Sequence, residues 1–159
     1  MTESNLCRQC NAEAHLTRIP HVEGEDHDVR VAIDGLAVYE CEHGHKRLLT
    51  PDFPNRFVEA LLASKEVPPA RPATKKGLFK KHLHCADCGA ELPEDERKDG
   101  VAHSTIDLAD AEPVEVQVHV PVYRCPSCQK AATLPEDLVQ REVMGAVAAA
   151  FQSAGVAPG

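Results

Sequence analysis

Two Cys-x-x-Cys pairs in the second half of the chain constrain the fold more than any other feature. They read C-A-D-C at 85–88 and C-P-S-C at 125–128. A Cys-x-x-Cys pair places two thiolates on one tight turn, and two such turns supply the four tetrahedral positions of a closed structural zinc site. The predicted ligands of this site are Cys85, Cys88, Cys125 and Cys128.

The first half of the chain carries the same arrangement in a weaker form. The pair Cys7 and Cys10 opens it, and the run C-E-H-G-H at 41–45 closes it. Two copies of one pattern of cysteines predict a second zinc site in this half. Its predicted ligands are Cys7, Cys10, Cys41 and His45.

The fourth ligand of this first site is not a cysteine. The position that corresponds to the last cysteine of the second site is Gly44, which has no side chain that binds metal. We predict His45 as the ligand, because an imidazole nitrogen lies further from the backbone than a cysteine sulfur. His43 is the alternative ligand, and a site without a local fourth ligand is the second alternative.

The number of cysteines separates a metal framework from a disulfide framework. Seven cysteines leave one thiol over in any set of disulfides, whereas they fill two zinc sites together with one histidine. We therefore predict two Zn²⁺ ions per chain as cofactors. Free thiols favour a reducing cytoplasm. The chain shows no signal peptide ahead of Cys7 and no apolar run of membrane-spanning length, so we expect a cytoplasmic protein without a membrane partner.

The length of 159 residues accommodates two small domains, and the duplicated pattern favours that division. We predict a zinc-ribbon unit at 1–66, a linker rich in proline and lysine at 67–81, and a second zinc-ribbon unit at 82–159. Units of this size obtain only about 3–5 kcal/mol from a hydrophobic core. Structural zinc contributes roughly 10–16 kcal/mol of apparent binding free energy, which is also folding free energy, so neither unit is expected to fold well without metal.

Each predicted unit is a short antiparallel sheet followed by a helix, which is an α+β fold. In the first unit, apolar residues alternate over 29–33, and Asp34-Gly35 predicts a two-residue hairpin turn before 36–39. Thr50 is the predicted N-cap of a helix with proline in its first turn and an end near Ser64.

The second unit shows the clearer strand pattern. Five valines alternate with polar residues from Val114 to Val122, as in a strand with one face in water. His119 is on the polar face and is predicted to be a surface residue. Pro121 predicts an edge strand or a bulge, because proline has no N–H for strand pairing. Thr133 is the predicted N-cap of the last helix.

The two halves are interpreted as an internal repeat. When Cys41 is aligned with Cys125, Tyr39 falls on Tyr123, and the order of cysteine pair, strands, closing turn and helix is the same in both. Between the halves, residues 67–74 are rich in proline and indicate an extended linker. The lysines that follow are predicted to form a solvated hinge, with docking of nucleic acid or an acidic protein as the alternative; they are Lys75, Lys76, Lys80 and Lys81.

Net charge and ligand number limit the classes of function. The formal net charge is −8, and two zinc-thiolate sites make the protein more acidic still, which argues against general affinity for nucleic acid. Catalytic zinc sites keep an open position beside three protein ligands, whereas the second site is closed by four thiolates. We therefore expect no enzymatic activity.

On these motifs, each half resembles the zinc-binding domain of the YgiT/MqsA-type antitoxins. The likeness lies in a Cys-x-x-Cys pair, strands, a Tyr-x-Cys approach to the closing turn, and a helix that begins at proline. It implies a structural zinc domain that contacts a partner protein, but no DNA-binding function, since a second zinc unit stands in place of that family's helix-turn-helix domain. The run at 41–45 also resembles the Cys-x-x-Gly-His turn of actinobacterial RNA polymerase-binding proteins of the RbpA type, which favours His45 as ligand.

The leading hypothesis is a non-catalytic zinc protein that acts as an adaptor or regulator through protein contacts. The last helix motivates it, because its apolar face is wider than one zinc ribbon can cover. Packing of the two halves on each other is the alternative use of that face, and Gly145 in this helix would permit close approach. Two other functions stay open, namely a nucleic-acid-associated zinc ribbon and a redox switch in which oxidation of the thiolates releases metal.

Overall fold

The computed structural model describes residues 6–76, 82–108 and 112–157, which form two helices and ten strands. Helix α1 spans Phe53–Ala63 and helix α2 spans Glu136–Ser153. The strands in chain order are β1 (Ala14–Asp26), β2 (Val29–Cys41), β3 (Lys46–Arg47), β4 (Arg71–Pro72), β5 (Thr74–Lys76), β6 (His82–His84), β7 (Lys98–Ile106), β8 (Val114–Arg124), β9 (Ala131–Thr133) and β10 (Val156–Ala157). The predicted α+β class is confirmed.

Two long antiparallel hairpins, one from each half of the chain, form the centre of the fold. Strands β1 and β2 make the first hairpin, and β7 and β8 make the second. The hairpins join through β2 and β8, which pair from Arg30 opposite His119 to Asp34 opposite Glu115. Eight of the described strands therefore belong to one sheet, and β5 and β6 form a separate ribbon.

The shared sheet differs from the expectation of a separate small sheet in each half. Val31 pairs with Val118 and Ile33 pairs with Val116, and all four side chains are buried. Joining the hairpins makes one continuous apolar face, whereas two separate sheets would each expose an unpaired strand edge. The two units thus share a sheet, and the folding of either unit alone stays a prediction.

The turn of the first hairpin lies seven residues before the turn predicted at Asp34-Gly35. Asp34 and Gly35 are inside β2, and the two residues between the paired strands are His27 and Asp28. Gly35 does take the positive φ, +78°, that an Asp-Gly turn would need, but it does so within the strand. The true turn depends on distant residues, because the Asp28 N–H donates to Glu142 Oε1 at 2.9 Å.

Helix α2, from the second half, packs on strands β1 and β2 of the first half. Two glycines permit the close approach. A Cβ atom on Gly24 would lie 2.2 Å from the Ala146 carbonyl oxygen, and one on Gly145 would lie 1.9 Å from Asp26 Oδ2. Most of the wide apolar face of this helix is therefore covered within the molecule, although Met144 is 52% exposed. The buried apolar residues of the helix are Val139, Val143, Ala146, Val147, Ala150 and Phe151.

Helix α1 covers the remaining part of this apolar layer. It buries Phe53, Phe57 and Leu61, and the ring of Phe57 meets that of Phe151 edge-on at a centroid distance of 6.1 Å. Burial of aromatic and leucine side chains contributes roughly 1.5–3 kcal/mol each. The helix has Ser64 as its C-cap residue, close to the predicted end.

Both predicted N-caps are wrong. The N-cap of α1 is Asp52, and the Thr50 hydroxyl donates to its Oδ1 at 2.5 Å instead of accepting a hydrogen bond from a backbone N–H of the helix. Thr133 belongs to β9, where its hydroxyl donates to the carbonyl of Pro121 at 2.7 Å, and α2 follows Pro135. In each case a proline near the helix start fixes the backbone, and the threonine hydroxyl donates a hydrogen bond elsewhere.

Pro121 lies where strand β8 changes partners, which differs from the predicted edge or bulge. On one side β8 pairs with β2 as far as His119 and then with β9 from Tyr123 onward. Pro121 falls between these two pairings, so its missing N–H removes no hydrogen bond from either.

Residues 67–76 do not form the expected free linker. Strand β4 pairs with β9, and β5 pairs with β6. The Ala73 N–H donates to the Thr133 carbonyl at 3.0 Å, and Val67 and Ala73 are buried. This segment is thus part of the second half, because the edge of β9 offers it hydrogen-bond partners. The remainder of the predicted basic hinge, including Lys80 and Lys81, lies outside the described residues.

Candidate metal centres

Three cysteine turns share one backbone conformation. In the turns that begin at Cys7, Cys85 and Cys125, the cysteine N–H donates to the carbonyl five residues later, at 2.7, 2.8 and 2.9 Å. The N–H four residues later returns a hydrogen bond to the cysteine carbonyl at 2.8, 2.9 and 3.0 Å. The donor of this second bond has a positive φ in each turn; the residues are Asn11, Gly89 and Gln129. This closed turn places both sulfurs of a Cys-x-x-Cys pair on the same side of the turn.

The fourth turn, at 41–45, is one residue shorter. The Gly44 N–H donates to the Cys41 carbonyl at 2.9 Å, and the Cys41 N–H donates to the His45 carbonyl at 3.1 Å. Gly44 has a φ of +81°, so the residue aligned with a cysteine is the one that takes the left-handed conformation. The ligand position moves to the next residue, where an imidazole ring spans the extra distance.

The second cluster has the dimensions of a tetrahedral zinc site. Its four sulfurs, from Cys85, Cys88, Cys125 and Cys128, lie within 4.8 Å of one another. Cys85 Sγ is 3.6 Å from Cys128 Sγ, and Cys88 Sγ is 3.3 Å from Cys125 Sγ. Zinc with Zn–S bonds of about 2.3 Å requires sulfurs about 3.8 Å apart, whereas a disulfide bond is about 2.0 Å long. This donor set fits a metal ion.

The first cluster contains Cys7, Cys10, Cys41 and His45, whose ligand atoms also lie within 4.8 Å of one another. His45 Nδ1 is 3.4 Å from the sulfurs of both Cys7 and Cys41, and Cys10 Sγ is 3.7 Å from Cys41 Sγ. These distances match three thiolates and one imidazole around a zinc ion, for which the bonds are about 2.0–2.3 Å.

His43 stands beside this first cluster without joining the group of four. Its Nδ1 is 3.2 Å from Cys10 Sγ, and its side chain is 57% exposed. The geometry favours His45 over His43, because His45 Nδ1 approaches two sulfurs at once. The ligand roles of all eight residues stay predictions.

Backbone N–H groups prepare the first thiol of a turn for metal. The N–H of Cys128 is the largest influence that lowers the pKa of Cys125, to about 6. At Cys7, burial raises the pKa, but N–H groups led by that of Gln9 outweigh burial and lower it to about 6. Zinc binds the thiolate form. These two cysteines are therefore mostly thiolates near neutral pH, so metal binding displaces few protons from them.

Charged side chains lie beside both clusters. A surface cleft beside Cys41 is lined by Glu13, Glu40 and Glu42. At the second cluster, Asp87 is contacted by Arg71 and Lys130, and these three residues were absent from the sequence prediction. In the sequence, the only signal for this group of charges is the Asp87 carboxylate within the turn at 85–89, because Arg71 and Lys130 come from distant parts of the chain.

Two further histidines, His21 and His119, take part in ion pairs on the polar face of the sheet. His21 Nδ1 is 2.5 Å from Asp34 Oδ1 and its Nε2 is 2.9 Å from Glu23 Oε1, and hydrogen bonds to these carboxylates raise the pKa of His21. His119, predicted to be a surface residue, lies on the same face with Nδ1 2.9 Å from Asp99 Oδ2, but its side chain is only 14% exposed.

Comparison with known proteins gave no relative for this chain: no family model, curated protein or solved structure matches it. Among the residues that the structure describes, neither helix has the length and apolar character needed to cross a membrane.

Proposed function

We propose that this protein is a non-catalytic zinc protein whose two metal ions are structural and whose role is to bind another protein. The observation that carries the proposal is the pair of Cys/His clusters, each with four ligand atoms at tetrahedral spacing. Four protein ligands leave no coordination position for water or substrate, which is typical of structural zinc. The free thiols favour a reducing compartment, which is the basis for proposing a cytoplasmic protein.

The position of the clusters supports a structural role. Strand β2 ends at Cys41, and β8 ends one residue before Cys125. Each cluster therefore ties the end of a central strand to a cysteine turn from an earlier part of the chain. Zinc in these positions stabilises the hairpins that form the shared sheet.

The same positions support the proposed internal duplication. Tyr39 and Glu40, directly before Cys41, pair with β3, whereas Tyr123 and Arg124, directly before Cys125, pair with β9. The short strand that follows each closing turn thus folds back on equivalent residues. This order of turn, hairpin, closing turn and return strand also underlies the proposed likeness to the antitoxin zinc domain.

A surface for a partner protein is available between the two helices. An apolar groove of about 280 Å³ is lined by residues of α1, α2 and their neighbours, including Leu48, Val58, Phe151 and Val156. Met144 lies on its wall and is 52% exposed. Apolar pockets with an exposed methionine suit the insertion of an apolar side chain from a partner.

Metal content tests the structural part of the proposal. Native mass spectrometry of the full chain is expected to show two zinc ions per chain, and Cys88→Ser is expected to show one. A chain that binds no zinc under reducing conditions would disprove the proposal. A chain that keeps two zinc ions in the variant would show that this cluster is not a four-thiolate site.

Differential capture tests the adaptor part. Met144→Asp places a charge in the groove, and Leu16→Asp is the matched control, since Leu16 is 63% exposed on β1, outside the groove lining. A partner that binds the native protein and the control but not Met144→Asp supports the groove as its site. Equal capture by all three proteins contradicts it. Val147 is unsuitable for this test, because it is buried and a charge there would disturb the fold.

A further inference from the structure

Charge is distributed unevenly over the molecule, and the surface around the second cluster is basic. In the whole chain, 25 acidic residues exceed 17 lysines and arginines. Three described segments surround the second cluster, at 67–76, 82–90 and 121–135, and they reverse this balance. Asp87 is their only carboxylate. Their cationic residues, named here the basic surface, are Arg71, Lys75, Lys76, Arg124 and Lys130.

Contacts at the cysteine turns bring three of these cations together. Arg71 and Lys130 both approach Asp87, and Lys130 Nζ lies 4.0 Å from Asp87 Oδ1. Arg124 Nη1 donates to the carbonyl of Gln129 at 2.7 Å, which holds the Arg124 guanidinium beside the turn at 125–129, next to Lys130. One carboxylate is thus shared by two cations, and both remain more than 60% exposed, at 66% for Arg71 and 62% for Lys130.

The two lysines extend the basic surface along the β5–β6 ribbon. Strand β5 begins two residues after β4 and pairs with β6, which ends at the residue before Cys85. Lys76 is exposed and pairs with His82, whereas Lys75 is half-buried. The ribbon and the cysteine turn therefore present cations that are 54 positions apart in sequence, Lys76 and Lys130, around one end of the sheet.

Among the described residues of the three segments, none is a large apolar side chain exposed in the way that anchors of protein interfaces are. In the part of the chain that the structure describes, the large apolar residues that are exposed all lie elsewhere; they are Leu6, Leu16, Val101 and Met144. Exposed lysine and arginine without an apolar centre match the backbone of a nucleic acid, where phosphates are contacted by cations and polar groups.

We propose that the basic surface binds the phosphate backbone of nucleic acid without reading its base sequence. The thiolates of the second cluster contribute about −2 with zinc bound, so with Asp87 the net charge is about +2, and Glu91, whose Oε1 lies 2.9 Å from His82 Nδ1, lowers it to about +1. Glu91 and Glu94, in the cleft next to Pro126, limit the surface on that side. The expected binding is therefore weak and sensitive to salt. This inference is independent of the apolar groove, which lies between the helices.

Fluorescence anisotropy of a labelled duplex tests the proposal with the zinc-loaded full chain. Three to five phosphate contacts predict a slope of about −3 to −4.5 for the logarithm of the binding constant against the logarithm of salt concentration in duplex DNA. Two duplexes of unrelated sequence are expected to bind with similar affinity. Metal content is measured on the same samples, so that loss of zinc is separated from loss of nucleic-acid binding.

Charge reversal at two sites, Lys76→Glu with Lys130→Glu, is expected to weaken binding at low salt at least about tenfold and to make the slope shallower by about 2. Lys65→Glu with Lys98→Glu changes the net charge equally on exposed residues outside the basic surface, and it is expected to change affinity less than about twofold.

Three outcomes would overturn the proposal. The zinc-loaded protein fails to bind either duplex at low salt; the two double variants weaken binding equally; or polyglutamate binds the native protein more tightly than the duplexes do. The last result would assign the basic surface to an acidic protein partner.

Discussion

The turn that closes the first cluster is one residue shorter than the other three turns, and this length determines which residue is the predicted fourth ligand. The turn at 41–45 closes one residue earlier than the other three, so the metal-facing position passes from Gly44 to His45. An imidazole reaches a metal from that position, and its Nδ1 already lies 3.4 Å from two sulfurs. The glycine supplies the left-handed conformation that makes the short turn possible.

Removal of each histidine tests this assignment. His45→Ala is expected to reduce the zinc content from two ions to one, because three thiolates alone hold the metal less tightly. His43→Ala is the matched control and is expected to keep two. Inductively coupled plasma mass spectrometry after dialysis against a mild chelator measures the content. Loss of zinc from His43→Ala, with retention in His45→Ala, would assign the site to the other imidazole.

At the scale of elements, the contact of α2 with β1 depends on the absence of side chains. The backbone of the helix approaches Gly24 so closely that a Cβ atom there would lie 2.2 Å from both the Ala146 oxygen and the Ala150 nitrogen. Because both neighbours are backbone atoms, a larger residue displaces the whole helix. A single methyl group therefore controls how the second half of the chain covers the first.

Gly24→Ala is expected to lower the free energy of unfolding by about 3 kcal/mol, at the upper end of the usual cost of overpacking. Urea denaturation of the zinc-loaded protein measures the change. Gly155→Ala is the comparison: its Cβ meets nothing within 4 Å, but its φ is +70°, so about 1 kcal/mol of strain is expected. Equal stability of Gly24→Ala and the native protein would contradict the close packing of α2 on β1.

The buried carboxylate of Glu142 links α2 to the turn of the first hairpin. Glu142 is 3% exposed, and its Oε1 accepts a hydrogen bond from the Asp28 N–H at 2.9 Å. The same aspartate pairs with Arg97 at 2.9 Å. A turn in the first half is thus held by a helix and a loop from the second half.

Glu142→Ala is expected to destabilise the protein by about 1–3 kcal/mol, because the Asp28 N–H loses its acceptor. Glu142→Gln replaces the carboxylate oxygen with an amide oxygen that can still accept this hydrogen bond, and it is expected to recover most of that loss. Thermal unfolding followed by circular dichroism compares the variants. A glutamine variant as unstable as the alanine variant would show that the hydrogen bond to the turn is not the source of the effect.

At the scale of the whole molecule, the two Cys/His clusters lie at the ends of paired strands of one sheet. Strand β2 ends in the first cluster and β8 ends beside the second, and the two strands pair over Arg30–Asp34. Helix α2 and strand β10 cross to the first half as well, with Val156 paired to Lys46 directly after His45. Loss of one metal is therefore transmitted to the other half through backbone hydrogen bonds.

Cys125→Ser is expected to reduce hydrogen-exchange protection in β2 as well as in β8, although the first cluster keeps its zinc. The physical reason is that a disordered β8 leaves the edge of β2 without partners. Hydrogen exchange with mass spectrometry measures this, with zinc content determined in parallel. Unchanged protection at 29–34 would show that the halves fold as independent domains, as the boundaries at 66 and 82 predict.

Some of this structure follows from sequence because the relevant interactions are local. The spacing of Cys85, Cys88, Cys125 and Cys128 predicts a cluster, since a Cys-x-x-Cys turn sets the separation of its sulfurs within four residues. Alternating valines identify β8 by the two-residue period of a strand. The end of α1 near Ser64 follows from its apolar spacing.

The tertiary structure alone decided how the halves combine. The pairing of Val31 with Val118, the approach of α2 to Gly24 and the acceptance of the Asp28 N–H by Glu142 join residues more than 80 positions apart. No local pattern specifies such contacts, because each depends on which apolar faces and unpaired edges the rest of the chain leaves available. The prediction of a turn at Asp34-Gly35 was wrong for this reason, and the basic surface emerges only when β4 and β9 bring Arg71 to Asp87 and Lys130.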